Sequence, residues 1–453
     1  MATVFPFRGL RYNPEKVGDL SLVVTPPYDV ISPEAQERYY QRHSYNVIRL
    51  ILGKEFPNDD PGNNRYTRAA GDFQSWQEEG VLIRDERPSI YIYEQAFALR
   101  DGQKRRRKGI IALVKLEGFA KGTVLPHEWT LSKPKWDRLE LMRACYANFS
   151  PIFSFYSSGG KLIHQVLKDK MEGEPAIDLM DEDGIEHRLW LLQDFTLIQA
   201  VVKELADKQV FIADGHHRYE TALAFRDELW VKDPADPDRK GQKAYNFVMM
   251  ALVDMEDEGL AILPTHRMVR RLPALDKRAL LTRVSPYFEV DVRPLRPGRE
   301  IEDLEVVLAE VRDRGQKGHV FGMYGGGQDF YLLTLRDERV LERLIQAPRS
   351  FAYKRLDVTI LHSLLIEGLL GLGAEEAERE EKLHYTRDEV EAYLQVREGK
   401  YQLAFFLNLT KLEEVHQVAS ARERMPQKST FFYPKLLTGL VINPIDPEET
   451  ITL

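Results

Sequence analysis

Apolar positions along this chain fall into two rhythms, and each rhythm names an element. Spacing of three and four residues from Tyr66 to Glu79, stopped by Gly80, predicts a helix. The same spacing predicts helices over Phe195 to Asp207, Arg218 to Trp230, residues 299–315, and onward from Thr410. Short apolar or alternating runs predict strands at Tyr45 to Leu50, Ser89 to Leu99, Lys108 to Glu117, Ile185 to Leu192, Gln209 to Ala213 and Asn246 to Asp254. Further strands are expected at His319 to Tyr324, Asp329 to Leu335 and Tyr401 to Leu407. Gly325, Gly326 and Gly327 read as a hairpin turn between two of them.

Punctuation sharpens these limits. Thr25-Pro26-Pro27-Tyr28-Asp29-Val30-Ile31 cannot be helical, because each proline drives its predecessor toward extended backbone. Ser32 then caps a helix that opens on Pro33. Asp233 to Pro237 reads as a loop. The alternation of strands and helices predicts α/β or α+β layers in both halves of the chain. At 453 residues the chain is too long for one core, so two domains are expected, at 1–270 and 271–453.

Composition narrows the classes of function. The net charge of −8 argues against a protein that coats nucleic acid, which needs a basic face. The basic run Lys104 to Lys108 is expected at a hairpin tip, where a solvated loop is the plain reading and a nucleic-acid contact the sharper one. The single cysteine, Cys145, forbids an intrachain disulfide and suits a reducing compartment. No apolar run has the roughly 20 residues that span a bilayer, and the N-terminus lacks the pattern of a secretory signal. The expectation is a cytoplasmic protein without a membrane partner. The oligomeric state is left open.

The segment richest in chemistry is Ala213-Asp214-Gly215-His216-His217-Arg218. An apolar strand ends in Asp-Gly and a helix starts within a few residues. The first amides of a helix have no partner within it, and the helix dipole adds positive charge there, so the site attracts anions. Gly215 allows close approach of a ligand to backbone. Arg218 can grip two phosphate oxygens, while His216 and His217 can donate hydrogen bonds or shuttle a proton. Asp214 can orient a histidine, hold a metal ion or accept a proton. The competing reading is a turn whose polar side chains merely cap a helix. Adjacent histidines do not converge on one ion, so no protein metal site is read here.

Three further segments carry suitable groups. Asp29 sits in the proline-framed loop as a base or a helix cap. His127-Glu128 and Lys135, Asp137 and Arg138 supply the cations and carboxylates that phosphoryl transfer uses. Lys428, with Ser429 and Thr430, resembles an anion site but lacks the glycines of a nucleotide-binding P-loop. If the turn holds phosphates, at least one of Asp29, Glu128 and Asp137 is expected beside it.

The stretch from Val210 to Leu223 resembles the signature turn of the ParB/sulfiredoxin superfamily and is most similar to the ParB-like free serine kinases. The chain as a whole resembles the bacterial and archaeal family called domain of unknown function 1015. That likeness rests on Thr25 to Ile31, His127-Glu128, Lys135, Asp137-Arg138, Asn148 to Phe153, the His-His-Arg turn and Met425 to Thr430. The superfamily resemblance implies a ParB/sulfiredoxin-like first domain and phosphate binding by Gly215, His216, His217 and Arg218, and residue type adds Lys428 as a further ligand. The leading hypothesis from these residues is ATP or ADP with Mg²⁺ as cofactors, Asp214, His216, Glu128 and Asp29 as catalytic groups, and a small-molecule acceptor such as serine. The alternatives are a nucleotide sensor without turnover and, behind it, a nucleic-acid binder. Sulfiredoxins carry a reactive cysteine where this chain has His216, which disfavours their chemistry.

Overall fold

The computed structural model describes the chain except residues 1, 131, 158–160, 233–240, 274–275, 374–380 and 453. It is a mixed α/β protein, as the alternating pattern predicts. The chain forms two compact units. The first comprises Met1–Pro126, Thr130–Ala261 and Pro434–Leu453, and the second comprises His127–Trp129 and Ile262–Tyr433. A single cut near residue 270 does not describe this arrangement, because the C-terminal stretch belongs with the first unit.

The first unit is built on a mixed nine-stranded sheet. From edge to edge run Val124–Leu125, Val210–Asp214, Ile152–Tyr156, Phe247–Asp254, Lys104–Lys115, Ile90–Ala98, Glu186–Leu192 and Ile177–Met180, with Val4–Phe5 paired along Lys104–Lys115. Phe247–Asp254 is buried along its whole length, as the apolar run through Val253 requires, and ends in a buried carboxylate at Asp254. The helices Phe195–Leu205 and His216–Lys232 send Ile198, Val201, Tyr219, Ala222 and Phe225 into a core with Ile152, Ile212 and Met250. A second core gathers Tyr12, Val47, Phe73, Trp76, Cys145 and Phe149. The second unit has a six-stranded antiparallel sheet whose core includes Leu304, Val320, Phe330 and Phe406.

Several local expectations hold. Ser32 caps the helix Pro33–Arg42 by accepting from the Ala35 amide. Asn64 and Thr67 form a reciprocal capping box that starts the helix Arg65–Glu78, and Gly80 follows it at φ +69°. Three expectations fail. Within Thr25 to Ile31, where the prolines forbid an α-helix, Tyr28–Val30 forms a single 3-10 turn. Tyr45 to Leu50 is not a strand: Ile48–Ile51 is a single helical turn, begun when Asn46 accepts from the Ile48 amide. Short apolar runs fit either element, and here a local side-chain bond decides. The basic run Lys104 to Lys108 is not a hairpin tip but the first part of a strand, with the turn before it at residues 99–103. The loop expected at Asp233 to Pro237 lies outside the described residues.

The misplaced basic run has a structural use. Arg107 is 2% exposed and stands opposite Gln95 in the sheet. It donates to the Gln95 side chain and to the Pro434 carbonyl, while Gln95 donates to the Lys435 carbonyl at 2.9 Å. The Leu437 amide leans on the Tyr93 hydroxyl at 3.5 Å. These bonds fasten residues 434–437 to the sheet. Removing the guanidinium strands buried acceptors, so Arg107→Ala should lower the unfolding free energy by about 3 kcal/mol. Urea unfolding checks this, and a loss below about 0.5 kcal/mol would contradict the anchoring role.

Candidate functional site

The strand Val210–Asp214 is buried through Ala213, and Asp214 is its last residue. The chain then turns at Gly215, whose φ of +95° is left-handed, and the helix begins at His216, two residues earlier than its apolar spacing indicates. A Cβ at position 215 would meet the Arg218 guanidinium at 2.8–2.9 Å. Glycine is thus required here twice, for its backbone angle and for the packing of Arg218 above it.

Arg218 folds back over this glycine. Its Nη2 donates to Asp214 Oδ2 at 3.0 Å and its Nη1 to the Pro151 carbonyl at 2.6 Å. The fork expected to hold phosphate therefore spends one arm on Asp214 and the other on the backbone. Asp214 Oδ1 accepts from Lys435 Nζ at 2.8 Å. Burial alone would raise the Asp214 carboxyl, but Lys435 and Arg218, with His216 nearby, bring it down to about 2. A carboxylate held so low is a poor proton acceptor at neutral pH. Asp214 instead fixes two cations beside the helix start. Lys435 was missed by sequence reasoning because it lies 221 residues away with no motif around it.

A second helix starts at the same place. Lys135 of the helix Ser132–Cys145 pairs with Glu220 at 3.0 Å, and Arg143 pairs with Glu228. The two pairs are eight residues apart on both helices, so the helices run parallel. Thr221 donates to the Lys135 carbonyl and Thr130 to Glu220, binding the start of the helix Ser132–Cys145 to the second turn of the helix His216–Lys232. Two positive helix ends thus lie side by side.

The proline-framed loop completes this region. The Arg138 guanidinium lies 3.9 Å from the centre of the Tyr28 ring, and burial pushes the Tyr28 hydroxyl up to about 12 despite Arg138 and Arg218. His217 is pushed below its ordinary value by burial, with Lys135 acting in the same direction and Asp29 and Glu220 opposing. Asp29 therefore stands close enough for His217 to feel its charge. Asp137 is bound by Arg65, Arg138 and the Tyr66 hydroxyl, and its place is structural.

Glu128 and Lys428 belong to the second unit. Glu128 Oε1 accepts from the Ser429 and Thr430 amides at 3.1 and 3.3 Å, which closes the turn after Lys428. Lys428 has φ +56° and offers its carbonyl to the buried Arg267. Among the described residues, no group of three or more His, Cys, Asp or Glu is placed to hold a metal ion. Cys145 is buried, and burial pushes its thiol up to about 12.

Two measurements follow from these shifts. In a histidine-resolved NMR titration, His217 should titrate below the ordinary value of 6.5. The unfolded chain then holds that proton more tightly than the folded one, so this residue destabilises the fold as pH falls through about 6.5. A midpoint above 7 would contradict the buried placement. Cys145, as a buried neutral thiol, should react with a disulfide reagent only when denaturant unfolds the first unit. Rapid labelling of the native protein would place it in a different environment.

Comparison with known proteins adds the following. No curated protein matches the chain. Among solved structures, a conserved hypothetical protein from Pyrococcus furiosus aligns at 14% identity over 71% of this chain and 90% of its own, with a TM-score of 0.32. A free serine kinase in complex with AMP aligns at 13% identity over 71% of this chain and 86% of its own, at 0.33. SbnI with a C-terminal truncation, from Staphylococcus aureus, aligns at 10% identity over 72% and 85%, also at 0.33. Scores this low support no argument about activity. No helix among the described residues is long and apolar enough to cross a membrane. The family profile matches residues 4–359, and on that match the chain belongs to the family described as Protein of unknown function (DUF1015).

Proposed function

We propose that this protein binds the phosphates of ATP or ADP at the start of the helix His216–Lys232 and transfers a phosphoryl group to the hydroxyl of a small molecule. The observation that carries the reading is the pairing of two parallel helix starts, each with cations fixed beside it: Lys135 on one, and Arg218 and Lys435 around Asp214 on the other. Phosphoryl transfer asks a protein mainly for positioning and for positive charge against the phosphate oxygens. The first amides of the helix would take the phosphates, and His216 and Arg218 would flank them.

Proton acceptance falls to His217 rather than Asp214. A histidine held neutral by burial can take the acceptor's proton, whereas a carboxylate near 2 cannot. In the transfer, the acceptor oxygen bonds to the terminal phosphorus and the bond to the bridging oxygen breaks. His217 takes the hydroxyl proton, and the shortened nucleotide leaves. Asp29 is the carboxylate beside His217 that would steady its protonated form. Mg²⁺ would arrive on the nucleotide's own oxygens, where it needs few protein carboxylates and screens the phosphate charge. The resemblance of the turn to the free serine kinases makes serine the first acceptor to test. The commitment of both Arg218 arms to protein groups favours a second reading, in which the same turn senses nucleotide without turnover.

Thermal shift and turnover separate these readings. Millimolar Mg-ATP or Mg-ADP should stabilise the wild type, by about 2.7 kcal/mol at a hundred times the dissociation constant. Arg218→Ala and Lys135→Met should lose most of that gain, Arg218→Ala also melting earlier without ligand because Asp214 loses a partner. Nucleotide should be consumed only when an acceptor is present, and His217→Asn should slow that consumption about 100-fold or more while keeping the thermal shift. Equal stabilisation of all three proteins would refute the site. Binding without turnover against every amino-acid and small-alcohol acceptor would leave the sensor.

A further inference from the structure

Beside the paired helix starts stands a large aromatic side chain that the phosphate reading does not use. Trp136, in the helix Ser132–Cys145, is 56% exposed. Its chain neighbour Lys135 makes the ion pair that joins the two helices, and Arg138 two residues on lies over Tyr28. An isolated exposed apolar residue needs no explanation. What distinguishes this one is how it is supported. The Tyr66 ring meets the indole at 6.1 Å and 83°. Tyr66 in turn donates to Asp137 at 2.8 Å and carries the Arg65 guanidinium 4.9 Å from its ring centre. Arg65 is tied to Asp137 and Glu55. The indole thus projects into solvent from a cross-braced base, so ordering it on binding costs little.

We propose that Trp136 is a stacking platform for the base of a nucleoside polyphosphate. The inference rests on the reading that the helix starts hold phosphates, and it narrows the ligand from any polyphosphate to a nucleotide. A flat, rigid aromatic surface next to a phosphate site suits a planar base, and stacking of this kind tolerates any base while rejecting a ligand that has none. Without such a platform, the site has no described means of telling ADP from pyrophosphate.

The test is calorimetric titration of the full chain with Mg-ADP and with Mg-pyrophosphate, in the wild type, Trp136→Phe and Trp136→Ala. The wild type should bind ADP at least tenfold more tightly than pyrophosphate. Trp136→Ala should lose about tenfold for ADP and less than twofold for pyrophosphate, the second value also showing that the site is folded. Trp136→Phe should keep most of the ADP affinity, since a flat ring remains. If ADP binds Trp136→Ala as well as wild type, the platform is overturned and the phosphate reading survives. If wild type binds neither ligand, the phosphate reading fails and the platform falls with it. Equal weakening for both ligands would make Trp136 a structural support and overturn the proposal.

Discussion

The half-buried carboxylate of Asp214 must be matched by positive charge, and much of the first unit is arranged to meet that constraint. One cation is local: Arg218 follows four residues later, on the first turn of the helix, and reaches back over Gly215. The other is remote: Lys435 comes from the C-terminal stretch. A lysine on a loose tail would not hold its partner at 2.8 Å, and residues 434–437 are accordingly bonded to the sheet by Arg107, Gln95 and Tyr93. An unpaired buried carboxylate would cost several kcal/mol or become protonated, so the pairing and the anchoring belong to one device.

That device places charge where a packed fold would not otherwise collect it. Two parallel helices put their positive ends together, a mutual repulsion that Glu220 offsets where it pairs with Lys135. Burial, with a smaller push from Lys135, holds His217 below its ordinary value, and the fixed cations leave the region suited to an anion. Burial, charge and hydrogen bonding act here on the same few residues, so stability and candidate chemistry cannot be separated by looking at one side chain alone.

Some of this was legible in the sequence. The strand, the glycine turn and the helix that follows are local events, set by apolar spacing and by a backbone angle that glycine adopts readily. Their prediction was off only in the start of the helix, which reaches back to His216 because the polar His-His-Arg run is helical although it carries no apolar rhythm. Pairings across long stretches of chain were not legible. Lys435 has no motif, and its role appears only when strand order brings Pro434 under Arg107. The run Lys104 to Lys108 looked like solvent-facing charge because alternation in a strand buries every second residue whatever its type, and Arg107 falls on the inner side with partners waiting. Residue type alone marks Glu128 and Lys428, and the structure gives Glu128 a turn to close within the second unit.

The central claim is that Asp214 and Lys435 act as one coupled pair that organises the turn. A double-mutant cycle on unfolding free energy, using Asp214→Asn, Lys435→Met and the double variant, tests it directly. The account predicts an interaction energy above about 1 kcal/mol, with the double variant closer to wild type than the two single losses summed. Additivity within about 0.3 kcal/mol would show that the two residues do not depend on each other, and the organising role given to this pair would be wrong.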